Sequence, residues 1–225
     1  MTASEIQARI LKRIDDDAVS PATATPAEVM AAINEGQELA SLLTLCLEKT
    51  ASWTIPASSP FLSVRGQFPD FLVPLRWQIG STRVRPAGLK ALRALNPNWQ
   101  ASPGTPTRYC TLGFNFWIVS PQPVGDTASN LTYARAPLQL VGDDFPEIPE
   151  QYHQNLVDYG VYRIRLKEGQ QGLARGLKYF SRFLDGMTEL GNQVRARSSR
   201  AGYDTLPLEL AMADRSRLLK LPKAA

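Results

Sequence analysis

The spacing of apolar residues changes twice along the chain, and this change restricts the fold more than any other feature. Apolar residues follow a helical period in residues 1–52 and again in residues 146–200. Between Trp53 and Ala136 that period is lost, and β-branched or aromatic residues occur in short runs separated by proline, glycine and asparagine. Two helical regions around a β-rich region predict an α+β fold.

The first 52 residues predict two helices. Ile6, Ile10 and Ile14 recur every four residues, which favours a short amphipathic helix over about Ser4 to Asp15. A second helix is predicted from Thr25 to about Lys49. Its start is marked by a capping box, in which the Thr25 hydroxyl and the Glu28 carboxylate satisfy each other's backbone N–H groups, with Pro26 in the first helical position.

The middle of the chain predicts a small antiparallel sheet. Gly113 lies where the third and fourth strands could turn back. A short helix over Ala87 to Leu95 should stop before Asn96, because Pro97 disfavours helical geometry in the residue before it. The predicted strands are Phe71 to Ile79, Thr82 to Arg85, Thr107 to Leu112, Phe114 to Val119 and Leu131 to Arg135.

Two more helices are predicted after Pro149, separated by Gly169. In the second, apolar residues alternate steps of four and three, which is the spacing of a helix that packs along its length. This pattern is typical of a bundle within one chain, and a coiled coil between subunits is the alternative. The apolar residues in question are Leu173, Leu177, Phe180, Leu184 and Met187.

The complete prediction is an α+β fold: a helical bundle of long helices with an inserted small antiparallel β-sheet and an extended C-terminal arm. Residues 1–52 supply the N-terminal helices, 53–145 the β-rich insertion, 146–200 the C-terminal helices and 201–225 the arm. Leucines continue through the arm although its helical period is lost, so it differs from a solvated tail. Docking on a partner explains this composition, and a mobile terminus is the alternative.

No pattern of catalytic or metal-binding residues is present in the sequence. His153 is the only histidine, and nucleophile, phosphate-binding and zinc-protease motifs are missing. Cys46 and Cys110 lack a second pair at ligand spacing, and neither acidic cluster, 15–17 or 143–150, has calcium-loop spacing. We therefore expect a protein that is not an enzyme and has no cofactor or metal. We also expect no signal peptide and no membrane-spanning segment.

The C-terminal helical region is locally basic, although the whole chain has a formal net charge of only +4. A solvated face is the simplest explanation, since residues opposite an apolar stripe must be polar. The alternatives are contact with DNA in a channel, contact with an acidic neighbour, or a DNA-binding protein that uses this helix. The candidate residues are Arg175, Lys178, Arg182, Arg195, Arg197 and Arg200.

The order of several short motifs resembles that of a known protein family. These are Asn96-Pro97-Asn98-Trp99, the Gly104-Thr105-Pro106 segment leading to Tyr109, the strand ending in Pro121-Gln122-Pro123, the returning strand 131–137, and the proline-rich segment 144–159. In this order the chain is similar to the head-to-tail adaptor (connector) proteins of tailed bacteriophages.

The resemblance implies a non-enzymatic virion protein that forms a ring of about twelve copies by repeated side-to-side contacts. Such a ring lies between the portal and the tail, or a nozzle or stopper protein, and leaves a channel for the genome. The protein would be made in the host bacterial cytoplasm, contact genomic DNA only non-specifically and have no membrane partner. The resemblance also implies that a terminus reaches the portal, which we assign to Tyr203, Leu206, Leu208, Leu210, Leu218, Leu219 and Leu221.

Overall fold

The computed structural model describes residues 1–14, 24–113 and 115–207. The described residues form two compact units. The helical unit comprises the described residues within Met1–Leu47 and Pro137–Arg197, with Pro207, and the sheet unit comprises those within Glu48–Ala136 and Ser198–Leu206.

The helical unit is built around one apolar core. The isoleucines of the first helix, Ile6, Ile10 and Ile14, are all buried in it, as their spacing predicts. Single-turn 3-10 segments, Glu150–Tyr152 and Leu166–Glu168, precede and follow the third long helix. The four long helices are α1 (Ala3–Ile14), α2 (Pro26–Thr44), α5 (His153–Arg165) and α6 (Gly169–Ala201).

The start of α2 has the geometry that its sequence predicts. The Thr25 hydroxyl accepts from the backbone N–H of Glu28, and the Glu28 carboxylate accepts from the backbone N–H of Thr25, so the capping box is confirmed. The helix ends earlier than predicted, at Thr44 instead of Lys49. Its end is fixed because Leu45 has a left-handed φ of 52° and donates its N–H to the Ser41 carbonyl.

The sheet unit contains one seven-stranded curled sheet. Its strands are β1 (Glu48–Ile55), β2 (Phe61–Ser63), β3 (Phe71–Ile79), β4 (Thr82–Pro86), β5 (Arg108–Leu112), β6 (Phe116–Ser120) and β7 (Thr127–Arg135). They lie in the order β1-β7-β3-β4-β5-β6-β2, and neighbouring strands are antiparallel except β4 and β5, which are parallel. Two short helices, α3 (Val64–Gln67) and α4 (Leu89–Leu95), connect strands.

Aromatic contacts show how strongly the sheet curls. Trp53 of β1 and Trp117 of β6 have ring centroids 6.2 Å apart, although four other strands separate them in the sheet order. In a flat sheet, five strand spacings would place them about 24 Å apart. Trp77 of β3 packs between them, 5.5 Å from Trp53 and 5.4 Å from Trp117. The sheet therefore bends around an indole core.

The predicted fold class is wrong. The structure is a mixed α/β fold with a seven-stranded curled sheet and a long C-terminal helix, and not a helical bundle with a small inserted antiparallel sheet. The error has a local cause. Leu43 and Leu47 continue the helical spacing of α2, so the prediction extended that helix over Glu48 and Lys49, which begin the edge strand β1.

Several other boundaries also differ from the predictions. The fourth predicted strand begins two residues later, at Phe116, and the last begins four residues earlier, at Thr127. Residues 61–63 form the second edge strand, β2, which the sequence analysis did not predict. In α6, Leu184 and Met187 of the predicted apolar stripe are buried in the core of the helical unit.

Close packing of α2 on α5 generates a stability prediction. A Cβ on Gly36 would lie 2.7 Å from Cδ1 of the Tyr159 ring, which is held by a hydrogen bond to Glu35. We expect Gly36→Ala to lower the free energy of unfolding, since overpacking costs about 1–3 kcal/mol and exceeds the gain of about 1 kcal/mol in helix propensity. Chemical denaturation measures the change.

Gly191→Ala is the matched control. It lies in α6, where Pro207, at 3.9 Å, is the only described residue that the added Cβ would meet. This variant should be as stable as the wild type or up to about 1 kcal/mol more stable. Equal effects of the two substitutions would contradict the packing argument.

Candidate functional site

The C-terminal end of α6 turns the chain back sharply. Gly202 has a φ of +68°, and the backbone N–H of Tyr203 donates to the Ser198 carbonyl at 3.0 Å. A left-handed glycine directly after a helix, with this backward hydrogen bond, is a common C-terminal cap. Residues 203–207 therefore leave the helix axis at a defined point.

Asp204 fixes the chain immediately after this turn. Its two carboxylate oxygens accept from Nη2 and Nε of Arg83, at 2.8 and 3.3 Å. Its backbone N–H donates to the carbonyl of Leu75 at 2.8 Å. Both side chains of the ion pair are largely shielded from solvent, so this two-point contact is stronger than an ordinary surface pair. Strands β3 and β4 thus hold residue 204 in place.

The predicted portal-docking residues fall into two groups. Tyr203 is half-buried, and its hydroxyl donates to Glu48 at 2.9 Å. Leu206 is 38% exposed, and the next residue, Pro207, accepts a hydrogen bond from Arg195. We call residues 203–207 the arm root. The other predicted docking residues, Leu208, Leu210, Leu218, Leu219 and Leu221, lie outside the described part of the chain.

The six predicted basic residues do not share one face of α6. At 100° per residue, Arg175, Lys178, Arg182, Arg197 and Arg200 fall within an arc of about 100°, and all five are exposed. Arg195 lies on the opposite side, where it is half-buried and donates to the Pro207 carbonyl. Its observed contact is therefore with Pro207.

Two acidic residues divide the basic arc. Glu189 lies inside the arc and Asp185 about 20° outside it, and both are exposed. The result is a basic cluster near the start of α6 and a second one near its end. The first contains Arg175, Lys178 and Arg182. In it Lys178 Nζ lies 4.9 Å and the Arg182 guanidinium carbon 5.7 Å from the centre of the Tyr179 ring.

A second exposed surface is the segment of residues 137–149, which we call the acidic loop. The side chain of Asn34 bonds both the N–H and the carbonyl of Leu140, while the side chain of Gln37 bonds the Leu138 carbonyl and the Glu147 N–H. Gln37 is fully buried in making these bonds. The loop carries three largely exposed apolar residues, Leu138, Val141 and Phe145.

The histidine, the cysteines and one of the acidic residues that the sequence analysis considered for catalysis or metal binding have structural roles. His153 is buried, with Nε2 2.9 Å from the Ile148 carbonyl, at the start of α5. Burial raises the pKa of both thiols, Cys46 and Cys110, which favours their neutral form. Glu147 uses its carboxylate to accept from the Leu138 N–H at 2.7 Å. Asp15, Asp16 and Asp17 lie outside the described residues.

The main cleft of the sheet unit contains few titratable side chains. A cleft of about 430 Å³ in the sheet unit is lined by prolines, small residues and Tyr109, without a carboxylate or imidazole among the described residues. Burial raises the pKa of Tyr109 well above its usual range, so its hydroxyl remains protonated. Across the described ranges, no group of three or more histidine, cysteine or acidic side chains is arranged to hold a metal. None of the described helices combines the length and the apolar content that crossing a bilayer requires.

Sequence analysis missed the residues that organise these surfaces. Arg83 and Leu75 lie more than a hundred residues before Asp204, and nothing in their local sequence indicates the contact. The acidic loop had a usable signal, because Val141 and Phe145 are large apolar residues next to Asp143 and Asp144 in a segment without helical or strand period. Such a combination is typical of an exposed contact surface.

Comparison with known proteins gives one family. The family model described as SU10 adaptor protein matches residues 1–206, which include both units and nearly all of the arm root. No curated protein matches the chain.

The anchoring of the arm root can be tested through Asp204. We expect Asp204→Ala to speed hydrogen exchange at the backbone amides of residues 203–206 by about tenfold or more, because the two-point contact with Arg83 is lost. Glu189→Ala, which removes an exposed carboxylate from α6, is the control and should leave these rates unchanged. Equal exchange in the wild type and in Asp204→Ala would show that the ion pair does not fix the root.

Proposed function

Since this chain belongs to the SU10 adaptor protein family, a family of bacteriophage structural proteins, we propose that it forms the ring that joins the portal to the tail. The ring would contain about twelve copies and leave a channel for the genome. The virion location and the structural role follow from the family itself, which is not known as a family of enzymes. Synthesis in the host bacterial cytoplasm is part of the proposal.

The observation that carries this proposal is the extent of the family match. Residues 1–206 include the complete sheet unit, the four long helices and the arm root as far as Leu206. The match is therefore to a whole folded body and not to a single motif.

We propose that the portal-docking arm begins after Pro207. Within the predicted docking set, Tyr203 already donates to Glu48, and its neighbour Asp204 is held by Arg83. These contacts support different roles for the two segments. The root would position the arm, and the leucines from Leu208 onward would provide apolar anchors for the portal. Leu206, 38% exposed, would lie at the junction. An arm that leaves from a fixed point loses less entropy on docking than one that leaves from a mobile end.

The second basic cluster, Arg197 and Arg200, is our candidate for a surface along the channel. Both residues are exposed near the end of α6. Repeated around a ring, such residues would provide a positive lining that contacts phosphates without reading sequence. The tail, or a nozzle or stopper protein, is proposed as the partner on the side away from the portal.

A DNA-binding protein is the second candidate function, favoured by the exposed arginines and lysine of α6. Glu189 in the same arc weakens the positive potential that such a protein needs. The two functions differ in a simple measurement. A DNA-binding protein would bind duplex DNA in isolation, with an affinity that falls steeply as salt is raised.

Removal of the arm tests the docking proposal. We expect truncation after Pro207 to weaken binding to the cognate portal by about 100-fold or more, because several leucine anchors would be lost together. The midpoint of thermal unfolding should stay close to that of the full chain. Truncation after Arg200 is the comparison variant, and it should also lower that midpoint, since it removes Tyr203 and Asp204 with their contacts to the sheet unit. Unchanged portal affinity after the first truncation would refute the assignment.

A further inference from the structure

The acidic loop is ordered before any partner binds. Four hydrogen bonds, at 2.7 to 3.2 Å, join its backbone to the amide side chains of Asn34 and Gln37 on α2. Within the loop, the Asp144 N–H donates to the Val141 carbonyl across a turn that contains Gly142, whose φ is +57°. A loop held in this way binds with little further loss of conformational entropy.

The exposed side chains of this loop have a mixed character. Leu138, Val141 and Phe145 are 71%, 72% and 67% exposed, while Leu140 and Ile148 of the same segment are buried. Asp143 is exposed within the loop, and Glu150, the first residue after the loop, is exposed while its carboxylate accepts from the N-terminal ammonium of Met1 at 3.2 Å. A single exposed apolar residue is common on protein surfaces, but three within eight residues of one loop, with acidic residues next to them in the sequence, are typical of a contact surface.

The first basic cluster of α6 has the opposite character. Arg175, Lys178 and Arg182 are exposed, and the last two stand over the ring of Tyr179, which is half-buried. Tyrosine and arginine are the residues that contribute most to binding at protein interfaces. The cluster thus offers an aromatic surface and positive charge to a partner that brings apolar side chains and negative charge.

The end of the loop and the start of α6 lie far apart within one chain. Pro149, at the end of the loop, lines the same cleft as Val194 and Arg197 of α6. Along the helix axis, Lys178 is about 28 Å from Arg197, at 1.5 Å per residue. Arg182 lies between them, where its carbonyl accepts from the side chain of Asn155. Docking of the loop on Lys178 and Tyr179 would therefore involve a second copy.

We propose that the acidic loop of one copy docks on the first basic cluster of the next copy, with Phe145 and Val141 against Tyr179 and with Asp143 and Glu150 facing Lys178 and Arg182. The inference rests on the proposed ring and specifies its contact. Because the two surfaces differ, the contact is head to tail, and a head-to-tail contact repeated around an axis closes into a ring.

Charge reversal in mixed assemblies tests this contact. The loop variant carries Asp143→Lys and Glu150→Lys, and the helix variant carries Lys178→Glu and Arg182→Glu. Native mass spectrometry of each protein mixed with the cognate portal measures how many copies assemble. We expect each variant alone to give at least tenfold fewer complete rings than the wild type, because like charges then meet at every contact. A single chain carrying all four substitutions should restore assembly, since opposite charges then meet again.

The matched control reverses two exposed basic residues outside both surfaces, Lys90→Glu with Arg93→Glu in α4, and it should assemble like the wild type. Complete rings from the loop variant or from the helix variant alone would overturn the inference. So would failure of the four-substitution chain to assemble while its thermal unfolding matches the wild type. If the helix variant forms complete rings but its virions lose DNA, the cluster faces the genome and the contact is refuted. Failure of the wild type to assemble on the portal would instead count against the proposed function.

Discussion

Contact between indole rings from distant strands is the constraint on which the sheet unit depends. Trp53 and Trp117 can approach to 6.2 Å only if the intervening strands bend, and Trp77, fully buried, occupies the space between them. Burying large aromatic side chains supplies the main driving force for this curl, since each contributes several kcal/mol of the order seen on truncation to alanine. Most of the alternating buried residues of the strands converge on one cluster, while Cys110 of β5 and Ile118 of β6 pack with Leu92 and Trp99 in a second, smaller one.

The arm root is attached to β3 and β4, near the centre of the sheet order. Leu75 and Arg83 belong to β3 and β4, the strands at the centre of the sheet order, and together they hold the backbone and the carboxylate of Asp204. A central strand is less free to fray than an edge strand, so the attachment point is as stable as the sheet itself. The chain segment that we assign to portal docking therefore starts from one of the most constrained parts of the sheet unit.

The sequence predicts the helical unit better than the sheet unit, and the reason is physical. The Thr25 capping box and the isoleucine spacing of α1 depend only on neighbours within one turn, so local sequence determines them. The edge strand β1 did carry a strand signal, because Ala51, Trp53 and Ile55 alternate with polar residues, but the helical spacing of Leu43 and Leu47 competed with it. The curl and the Asp204 contact depend on residues far apart in the chain, which no local period reveals.

The charge pattern of α6 shows that local sequence also predicts function incompletely. Counting basic residues suggested one positive face, whereas the helix separates them into two clusters and turns Arg195 toward Pro207. A continuous basic face would favour DNA as the only partner, because phosphates repeat along the duplex and bind continuous positive charge. Two short clusters separated by Glu189 and Asp185 suit two different partners. In a ring, one end of a long helix can meet a neighbour while the other end faces the channel, and a helix of 33 residues, about 50 Å long, is long enough to do both.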